Sequence, residues 1–259
     1  MTKVYLIGAG PGAADLLTLR AARLLADKAE IVLADDLVSD EILALVRPEA
    51  RVLKVGKRGG RPSTPQSFIH RLMVRYARRG KCVVRLKGGD PYVFGRGGEE
   101  VEALAEHGVA AEVVPGLTAG IAVPAAVGIP VTHRAYTHGV TLVTGTAGDG
   151  RSEPNWSGLA RSGTTLVIYM GLGRLLSIVA RLIAGGLPPD TPAAAIASGT
   201  LPSQRHVKGT LRDLPGRVAA AGLASPAIIV VGEVAALANA DTDTADVPMQ
   251  DLVACMHAA

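Results

Sequence analysis

The sequence predicts an α/β protein of two lobes, with a mostly parallel sheet in the N-terminal lobe and a mixed sheet in the C-terminal lobe. Three observations support this prediction. The 259 residues are enough for one large α/β domain or two small ones that share a cleft. The chain is 48% apolar but only 3% aromatic, which is typical of buried parallel strands packed closely against helices. Short apolar runs alternate with helical patterns, as they do in parallel sheets.

The N-terminal lobe is expected over residues 1–116. Pro65 at the start of one helical segment and Gly80 after its end follow the usual asymmetry of helix termini. The predicted strands are 4–10, 30–35, 51–56, 81–88 and 112–116. The predicted helices are 15–26, 39–46, 65–79 and 97–107.

The C-terminal lobe is expected over residues 117–239. Residues 203–211 alternate polar and apolar side chains, which predicts a half-exposed antiparallel strand and therefore a mixed sheet. A segment rich in Gly, Ala and Pro at 115–134 joins the two lobes, and residues 240–259 have the composition of a disordered tail. The buried strands of this lobe are predicted at 140–145, 164–171, 192–199 and 226–233.

The charged residues favour a small acidic ligand over a nucleic acid. The formal charge is +4, but the basic residues are scattered and lack the interleaved aromatics that stack on bases. One concentration, at Lys54, Lys57, Arg58 and Arg61, lies in a glycine-rich loop where it suits a polyanion.

Cysteine usage and hydropathy predict a cytoplasmic protein. Cys82 and Cys255 have no metal-ligand spacing and no disulfide partner pattern, so a reducing compartment is expected, and Cys82 is predicted to lie in the core. The chain shows neither the pattern of a signal peptide nor an apolar run of about 18 residues, so no membrane association is expected.

The most informative stretch of the sequence is residues 84–100, VRLKGGDPYVFGRGGEE. The two consecutive glycines allow a ligand to approach the backbone closely, and the proline after Asp90 ends the preceding strand. The acids Glu99 and Glu100 suit the first turn of a helix. A plain strand–loop–helix connection would explain the glycines alone. The added cluster of Lys87, Asp90, Arg96 and Glu99 favours a ligand site.

A second glycine loop, residues 8–13, matches the dinucleotide-binding pattern directly after a strand. Asp35 and Asp36 end the next strand, near the position of a ribose-binding acid. Such a match is weak on its own, and Pro11 removes one of the N–H groups that a pyrophosphate would need. These residues alone leave a flavin or nicotinamide oxidoreductase open.

The motifs taken together resemble the tetrapyrrole methyltransferases over residues 3–238. The resemblance rests on their type and their order along the chain. The motifs are VYLIGAGPGAADLLTLRA at 4–21, DLVS at 36–39, VGKRGG at 55–60, RLKGGDPYVFGRGGEE at 85–100, VVPGLTAGIAVPAAVGIPVTHR at 113–134, VTGT at 143–146, VIYMG at 167–171, GTLPSQR at 199–205 and SPAIIVVGEV at 225–234.

The resemblance implies two α/β lobes that bind S-adenosylmethionine in the cleft between them. Small residues permit close backbone approach, and Met170 offers a soft apolar contact. Core packing would be the better explanation of a lone methionine, but the place of Met170 in the YMG motif favours the cofactor contact. The cofactor residues implied are Pro11, Gly88, Gly89, Asp90, Val93, Thr118, Ala119, Met170 and Gly199.

The substrate implied is uroporphyrinogen III, a hexahydroporphyrin with eight carboxylates, methylated at carbons 2 and 7 to precorrin-2 for cobalamin or sirohaem synthesis. Arginine suits carboxylates, and Arg58, Arg96 and Arg134 are the candidates. Glu99 is either an acceptor for a pyrrole N–H or a partner of Arg96. The resemblance also implies that Asp35 is the general base and that Lys57 is its proton-donating partner. It further implies a homodimer.

Four positions depart from the residues usual in that family: Ala34, Asp36, Pro62 and Thr146. These departures lie outside the cofactor motifs and bear on how the substrate is oriented. Two alternatives therefore accompany the main prediction. One is a methyltransferase acting on a later precorrin. The other is a nucleotide- or anion-binding protein without catalysis.

Overall fold

Two five-stranded sheets, one from each half of the chain, form the framework of the protein. The computed structural model describes residues 3–56, 64–146 and 153–239. In the first sheet all neighbouring strands are parallel, in the order β3-β2-β4-β1-β5, which confirms the predicted arrangement. Its strands are β1 (Lys3–Gly8), β2 (Ile31–Ala34), β3 (Arg51–Lys54), β4 (Val83–Lys87) and β5 (Ala110–Val114).

Helices cover both faces of this sheet, so β2 and β4 are buried along their whole length. The side chains of Thr18 and Ser39 cap the first two helices by accepting backbone N–H bonds from Ala21 and Ile42. The helices of this lobe are α1 (Leu19–Asp27), α2 (Asp40–Leu43), α3 (Gln66–Arg78) and α4 (Gly97–Glu106).

The second sheet has the order β6-β7-β10-β8-β9 and is mixed, as predicted. β6 and β7 run parallel, whereas β10 is antiparallel to both of its neighbours and β9 is antiparallel to β8. The strands are β6 (Val140–Thr144), β7 (Thr165–Tyr169), β8 (Pro192–Ala197), β9 (Arg205–Thr210) and β10 (Ala227–Val231). Its helices are α6 (Trp156–Ala160), α7 (Leu175–Ala184) and α8 (Leu214–Ala220).

The segment that joins the lobes contains a helix that the sequence pattern did not reveal, α5 (Ala119–Ala126). It is apolar on nearly every face and includes Pro124, so neither periodicity nor propensity marks it. Packing stabilises it, because Val123 and Val127 lie in the core of the second lobe. The chain passes from the first sheet to the second between β5 and β6. The predicted lobe boundary at residues 116–117 falls in that interval and stays a prediction.

Smaller differences from prediction concern the ends of elements. The first predicted helix divides into a 3₁₀ turn at Ala14–Leu16 and α1, while α2 ends at Leu43 rather than near residue 46. Cys82 precedes β4 and is only half-buried, so its assignment to the core was wrong. The predicted tail, 240–259, lies outside the described residues. Among the residues described, every helix is too short or too polar to cross a membrane.

Parallel pairing brings the carboxyl ends of β1, β2, β4 and β5 to one edge of the first sheet, where ligands bind in open α/β sheets. The loops that follow β1 and β4 are joined there by two backbone hydrogen bonds. Gly10 N donates to Gly89 O at 3.2 Å, and Gly89 N donates to Gly10 O at 2.7 Å. The two glycine-rich stretches of the sequence therefore form one structural unit.

Candidate active site

Two glycines, Gly8 and Gly116, allow the loops after β1, β4 and β5 to touch. A Cβ atom at Gly8 would lie 2.6 Å from both Gly116 N and Gly89 O, and one at Gly116 would overlap Gly89 O. Because the obstructing atoms are backbone, they have little freedom to move aside. Glycine is thus required at these positions by the approach of main chain to main chain.

Asp90 holds the turn that follows β4. One carboxylate oxygen accepts the backbone N–H of Tyr92 at 2.8 Å, and the other accepts that of Gly116 at 3.1 Å. The side chain therefore fixes its own loop and the loop after β5 together. Each oxygen has a second lone pair, so the predicted contact of Asp90 with a cofactor stays compatible with this arrangement.

Tyr169, at the end of β7, ties the second lobe to the first. Its hydroxyl lies 2.7 Å from Thr118 Oγ1 and accepts the backbone N–H of Gly120 at 2.6 Å. Its ring packs on that of Phe94, with centroids 4.8 Å apart. Burial raises the pKa of Tyr169, so the phenol stays protonated and can donate to Thr118. The two hydrogen bonds thereby fix the start of α5 on the second sheet, and the ring contact with Phe94 joins that sheet to the first lobe.

A second link between the lobes involves the loop after β8. Thr200 Oγ1 accepts the backbone N–H of Ala13 at 3.1 Å, and the space beside Gly12 is occupied by Leu201. Gly199 lies against Val123 of α5, with no room for a Cβ atom. Pro11 and Gly199, both predicted cofactor residues, therefore flank one junction of the two lobes.

Backbone strain is concentrated at this junction. Five non-glycine residues in the described part of the chain have left-handed backbone conformations, with φ between 50° and 65°. Each lies in a loop at or beside the contact between the lobes, and such strain typically marks a functional site. They are Phe94, Arg96, Met170, Ser198 and Thr200.

A buried ion network lies beneath this edge of the sheet. Arg85 and Lys87 of β4 are inward-facing, with 3% of each side chain exposed, and both contact the carboxylates of Asp35 and Glu100. The Arg85 guanidinium bonds to Asp35 and donates from Nε to Glu100 at 2.9 Å. Gln66 Nε2 donates to the same Glu100 oxygen at 2.8 Å.

The network sets the ionisation of its members. Burial opposes a charge on Glu100, but the attraction of Arg85 and Lys87 outweighs it and lowers the pKa of Glu100. Burial lowers the pKa of Lys87, and the neighbouring Arg85 charge lowers it further. Asp35, with 28% of its side chain exposed, is the member through which the network reaches the surface.

Arg96 is held in an unfavourable position. It precedes α4 with φ of 58°, and it places a cation at the positive end of the helix. Its exposed side chain bonds to Glu99, with Nε 3.1 Å from each carboxylate oxygen. The pairing of Arg96 with Glu99 is one of the two roles predicted for Glu99. The strain suggests that the cation is retained for a ligand.

The remaining predicted residues are dispersed around the same edge. Met170 follows Tyr169 and is 52% exposed, whereas Val93 packs against the core of the second lobe. Arg134 is exposed in the segment after α5. Lys57 and Arg58, together with Arg61 and Pro62, lie outside the described residues.

Three of the positions that depart from the family pattern can be located. Ala34 ends β2 and is fully buried. Asp36 is exposed and lies against Gly56, where a Cβ atom would overlap its carboxylate. The backbone N–H of Thr146 donates to Thr144 Oγ1 at 3.3 Å.

Comparison with known proteins gives the family. Residues 3–215 match the family of Tetrapyrrole (Corrin/Porphyrin) Methylases. A uroporphyrinogen-III C-methyltransferase of Pseudomonas aeruginosa is 55% identical over 232 residues, which are 90% of this chain and 94% of that protein. The chain belongs to the tetrapyrrole methylase family.

Solved structures agree with this assignment to the tetrapyrrole methylases. Uroporphyrin-III C-methyl transferase from Thermus thermophilus, complexed with S-adenyl homocysteine, superposes with a TM-score of 0.77 and 43% identity over 90% of this chain and 92% of that one. The cobalamin biosynthetic enzyme cobalt precorrin-4 methyltransferase gives a TM-score of 0.81 at 31% identity, over 90% of this chain and 95% of that one.

Two groups of polar residues at this tetrapyrrole methylase site were missed by sequence reasoning. Tyr169 sits in an apolar strand, and nothing in its neighbours marks the partners that its hydroxyl reaches at the start of α5. Glu100 was assigned to the first turn of a helix, where it lies, but its full burial against Arg85 and Lys87 of β4 was not predicted. The charged pair Arg85 and Lys87 within an apolar run was the available signal, since buried cations need carboxylate partners.

Proposed function

We propose that this chain transfers methyl groups from S-adenosylmethionine to carbons 2 and 7 of uroporphyrinogen III, giving precorrin-2 through precorrin-1. The observation that carries the proposal is the 55% identity to a uroporphyrinogen-III C-methyltransferase over 94% of that relative. The geometry of the site supports it. Small residues surround a ligand space, and charged residues lie at its rim.

The residues at the junction fit S-adenosylmethionine. A Cβ atom at Gly89 would lie 3.8 Å from Ala119 N, so the loop after β4 and the start of α5 face each other without overlap. The Gly120 N–H at the start of α5 is bound by Tyr169, but the Ala119 N–H before it has no acceptor within the helix and suits an acceptor group of a ligand. Met170, half-exposed beside Tyr169, offers a thioether to an apolar part of the ligand. When bound, the cofactor supplies an electrophilic methyl group on a sulfonium.

The reaction needs a nucleophile, a base and alignment. A pyrrole carbon of the macrocycle forms the new C–C bond as the C–S bond breaks, and S-adenosylhomocysteine leaves with the electron pair. The macrocycle then loses a proton, which Asp35 accepts as general base in this proposal, with Lys57 as the partner that resemblance implies. Arg96, Arg134 and Arg58 hold carboxylates of the substrate. Alignment supplies much of the rate.

A second candidate is a methyltransferase of a later precorrin. The TM-score of 0.81 with cobalt precorrin-4 methyltransferase and the departure at Asp36 favour it, but the identity to that enzyme is 31% against 55% to the Pseudomonas relative. The first candidate therefore has the stronger support. A third, a nucleotide- or anion-binding protein without catalysis, would leave Asp35 and the glycine loops without a role.

We also propose that the protein is a cytoplasmic homodimer that acts on a small tetrapyrrole and needs no nucleic acid. Leu176 on α7, which is 76% exposed, lines one surface groove together with Leu172 and Leu223, and an apolar patch of this kind suits contact with a second copy.

The assay that tests the function combines the protein, S-adenosylmethionine and anaerobically prepared uroporphyrinogen III, with product mass as the readout. We expect two methyl groups to be added. A trimethylated or unmodified tetrapyrrole would contradict the proposal.

Replacing Asp35 with asparagine should lower kcat roughly 100-fold or more, as loss of a general base does. Asp27→Asn, an exposed change at the end of α1, is the matched control and should leave kcat unchanged.

Replacing Tyr169 with phenylalanine should weaken S-adenosylhomocysteine binding about fivefold to tenfold. The change removes the acceptor of the Gly120 N–H and the partner of Thr118, so the start of α5 loses its anchor. The free energy of unfolding should fall by about 1–3 kcal/mol, the cost of leaving a buried donor unsatisfied. Isothermal titration and thermal denaturation measure the two effects. Tyr136→Phe, an exposed tyrosine, is the control, and equal affinity in both variants would contradict the anchoring role.

A further inference from the structure

Glu100 lies beneath the cleft and not in it. Its side chain is fully buried on α4, so it has no path to a substrate. Oε1 accepts hydrogen bonds from Arg85 Nε at 2.9 Å and Gln66 Nε2 at 2.8 Å. Oε2 lies 3.1 Å from Lys87 Nζ without the alignment of a hydrogen bond, so this contact is electrostatic. Glu100 therefore binds both buried cations of β4.

The four ionised groups of the network balance in charge. Arg85 and Lys87 carry two positive charges, and Asp35 and Glu100 carry two negative ones. Arg85 is fixed further by donating to Leu33 O at 3.1 Å, so the guanidinium cannot follow a moving partner. Burying unpaired charge is costly. Removal of one carboxylate would leave one excess positive charge, and both cations would then act on the carboxylate that remains.

We propose that Glu100 is a positioning residue that keeps the Asp35 carboxylate available to take a proton, by neutralising the buried cations Arg85 and Lys87. This inference rests on the proposed function. With Glu100 uncharged, both cations would act on Asp35 alone and stabilise its anion. A more strongly stabilised carboxylate is a weaker base. Glu100 thus acts on the reaction through other residues and touches no reactant.

Other charged groups near the network do not replace this role. Burial lowers the pKa of His70, which faces Glu100 from α3, so its imidazole is neutral near pH 7 and adds no charge. Arg96 and Glu99 on α4 form their own ion pair, and Asp36 beside Asp35 is exposed to solvent. The groups facing the two carboxylates are Arg85 and Lys87 from β4, Gln66 and His70 from α3, and Asp36 after β2.

The test is the pH dependence of kcat for methylation of uroporphyrinogen III at saturating S-adenosylmethionine. In Glu100→Gln the acidic limb should move to lower pH by on the order of one unit, with kcat on the plateau reduced, because one excess positive charge then acts on the base. The affinity for S-adenosylhomocysteine should stay within twofold of wild type. Glu102→Gln, an exposed change on the same helix, should leave the whole profile unchanged.

A charge-balanced variant separates this role from a structural one. Glu100→Gln combined with Lys87→Gln removes one charge of each sign, so the acidic limb should return to within about 0.3 units of wild type. The inference would be overturned if the acidic limb of Glu100→Gln stayed at its wild-type pH, or if the limb of the double variant moved as far as that of the single variant. In either case an active wild type would leave the proposed function standing. An inactive wild type would instead overturn the proposed function and this inference with it.

Discussion

Replacing Gly116 with alanine should abolish tight binding of S-adenosylhomocysteine and destabilise the protein. The new Cβ atom would overlap Gly89 O and approach Gly8 Cα at 2.8 Å, so the loops after β1, β4 and β5 would have to separate. Overpacking against fixed backbone costs roughly 3 kcal/mol of unfolding free energy. We expect affinity to fall at least tenfold, measured by titration calorimetry, with urea denaturation giving the stability.

Gly98→Ala is the matched control for that change. Gly98 lies in the first turn of α4, and a Cβ atom there would meet nothing within 4 Å. Alanine should therefore raise stability by about 0.5–1 kcal/mol through helix propensity, with no effect on ligand affinity. If the two variants lost affinity equally, the close approach of the three loops would not be what shapes the site.

Replacing Arg96 with asparagine should raise the KM for uroporphyrinogen III at least tenfold while leaving the fold intact. A charge-assisted hydrogen bond to a carboxylate contributes about 1.5–3 kcal/mol, which corresponds to roughly tenfold to a hundredfold in affinity. Stability should change by less than about 1 kcal/mol, because the exposed ion pair with Glu99 contributes little and asparagine tolerates the left-handed backbone.

The pattern of kinetic effects distinguishes substrate binding from folding in this variant. We expect the KM for S-adenosylmethionine and the melting temperature to stay near the wild-type values. Arg75→Gln, which removes an exposed cation of α3, is the control and should leave both KM values unchanged. A large loss of melting temperature in Arg96→Asn with an unchanged KM for the tetrapyrrole would assign Arg96 to the fold instead.

Much of the fold could be predicted because its strands are strongly patterned. The apolar run of β2 and the apolar residues Val83, Val84 and Leu86 of β4 indicate a parallel sheet, and the alternation at 203–211 correctly indicated the antiparallel β9. The helix α5 could not be found this way. Its residues are apolar on all sides, and its stability comes from the second lobe, which local sequence does not reveal.

The same distinction applies to the candidate site. Glycine loops and charged residues next to strand ends are visible in the sequence, so Gly89, Asp90 and Asp35 could be named in advance. Contacts between residues that are distant in the sequence could not be predicted in this way. The pairing of Glu100 with Lys87 and of Tyr169 with Gly120 depends on how α4 packs on the first sheet and α5 on the second. Lys57 and Arg58 lie outside the described residues, so their assignment stays a prediction.

The two crossings between the lobes, the hydrogen bond of Thr200 with Ala13 and the ring contact of Tyr169 with Phe94, have a thermodynamic consequence. Each joins a ligand-site segment of one sheet to a side chain of the other, so a ligand held there would be bound by the folded state of both lobes together. By linkage, its binding free energy would then be added to the stability of the pair and not to either half. Occupancy of the cleft would thus make the unfolding of two lobes a single cooperative event.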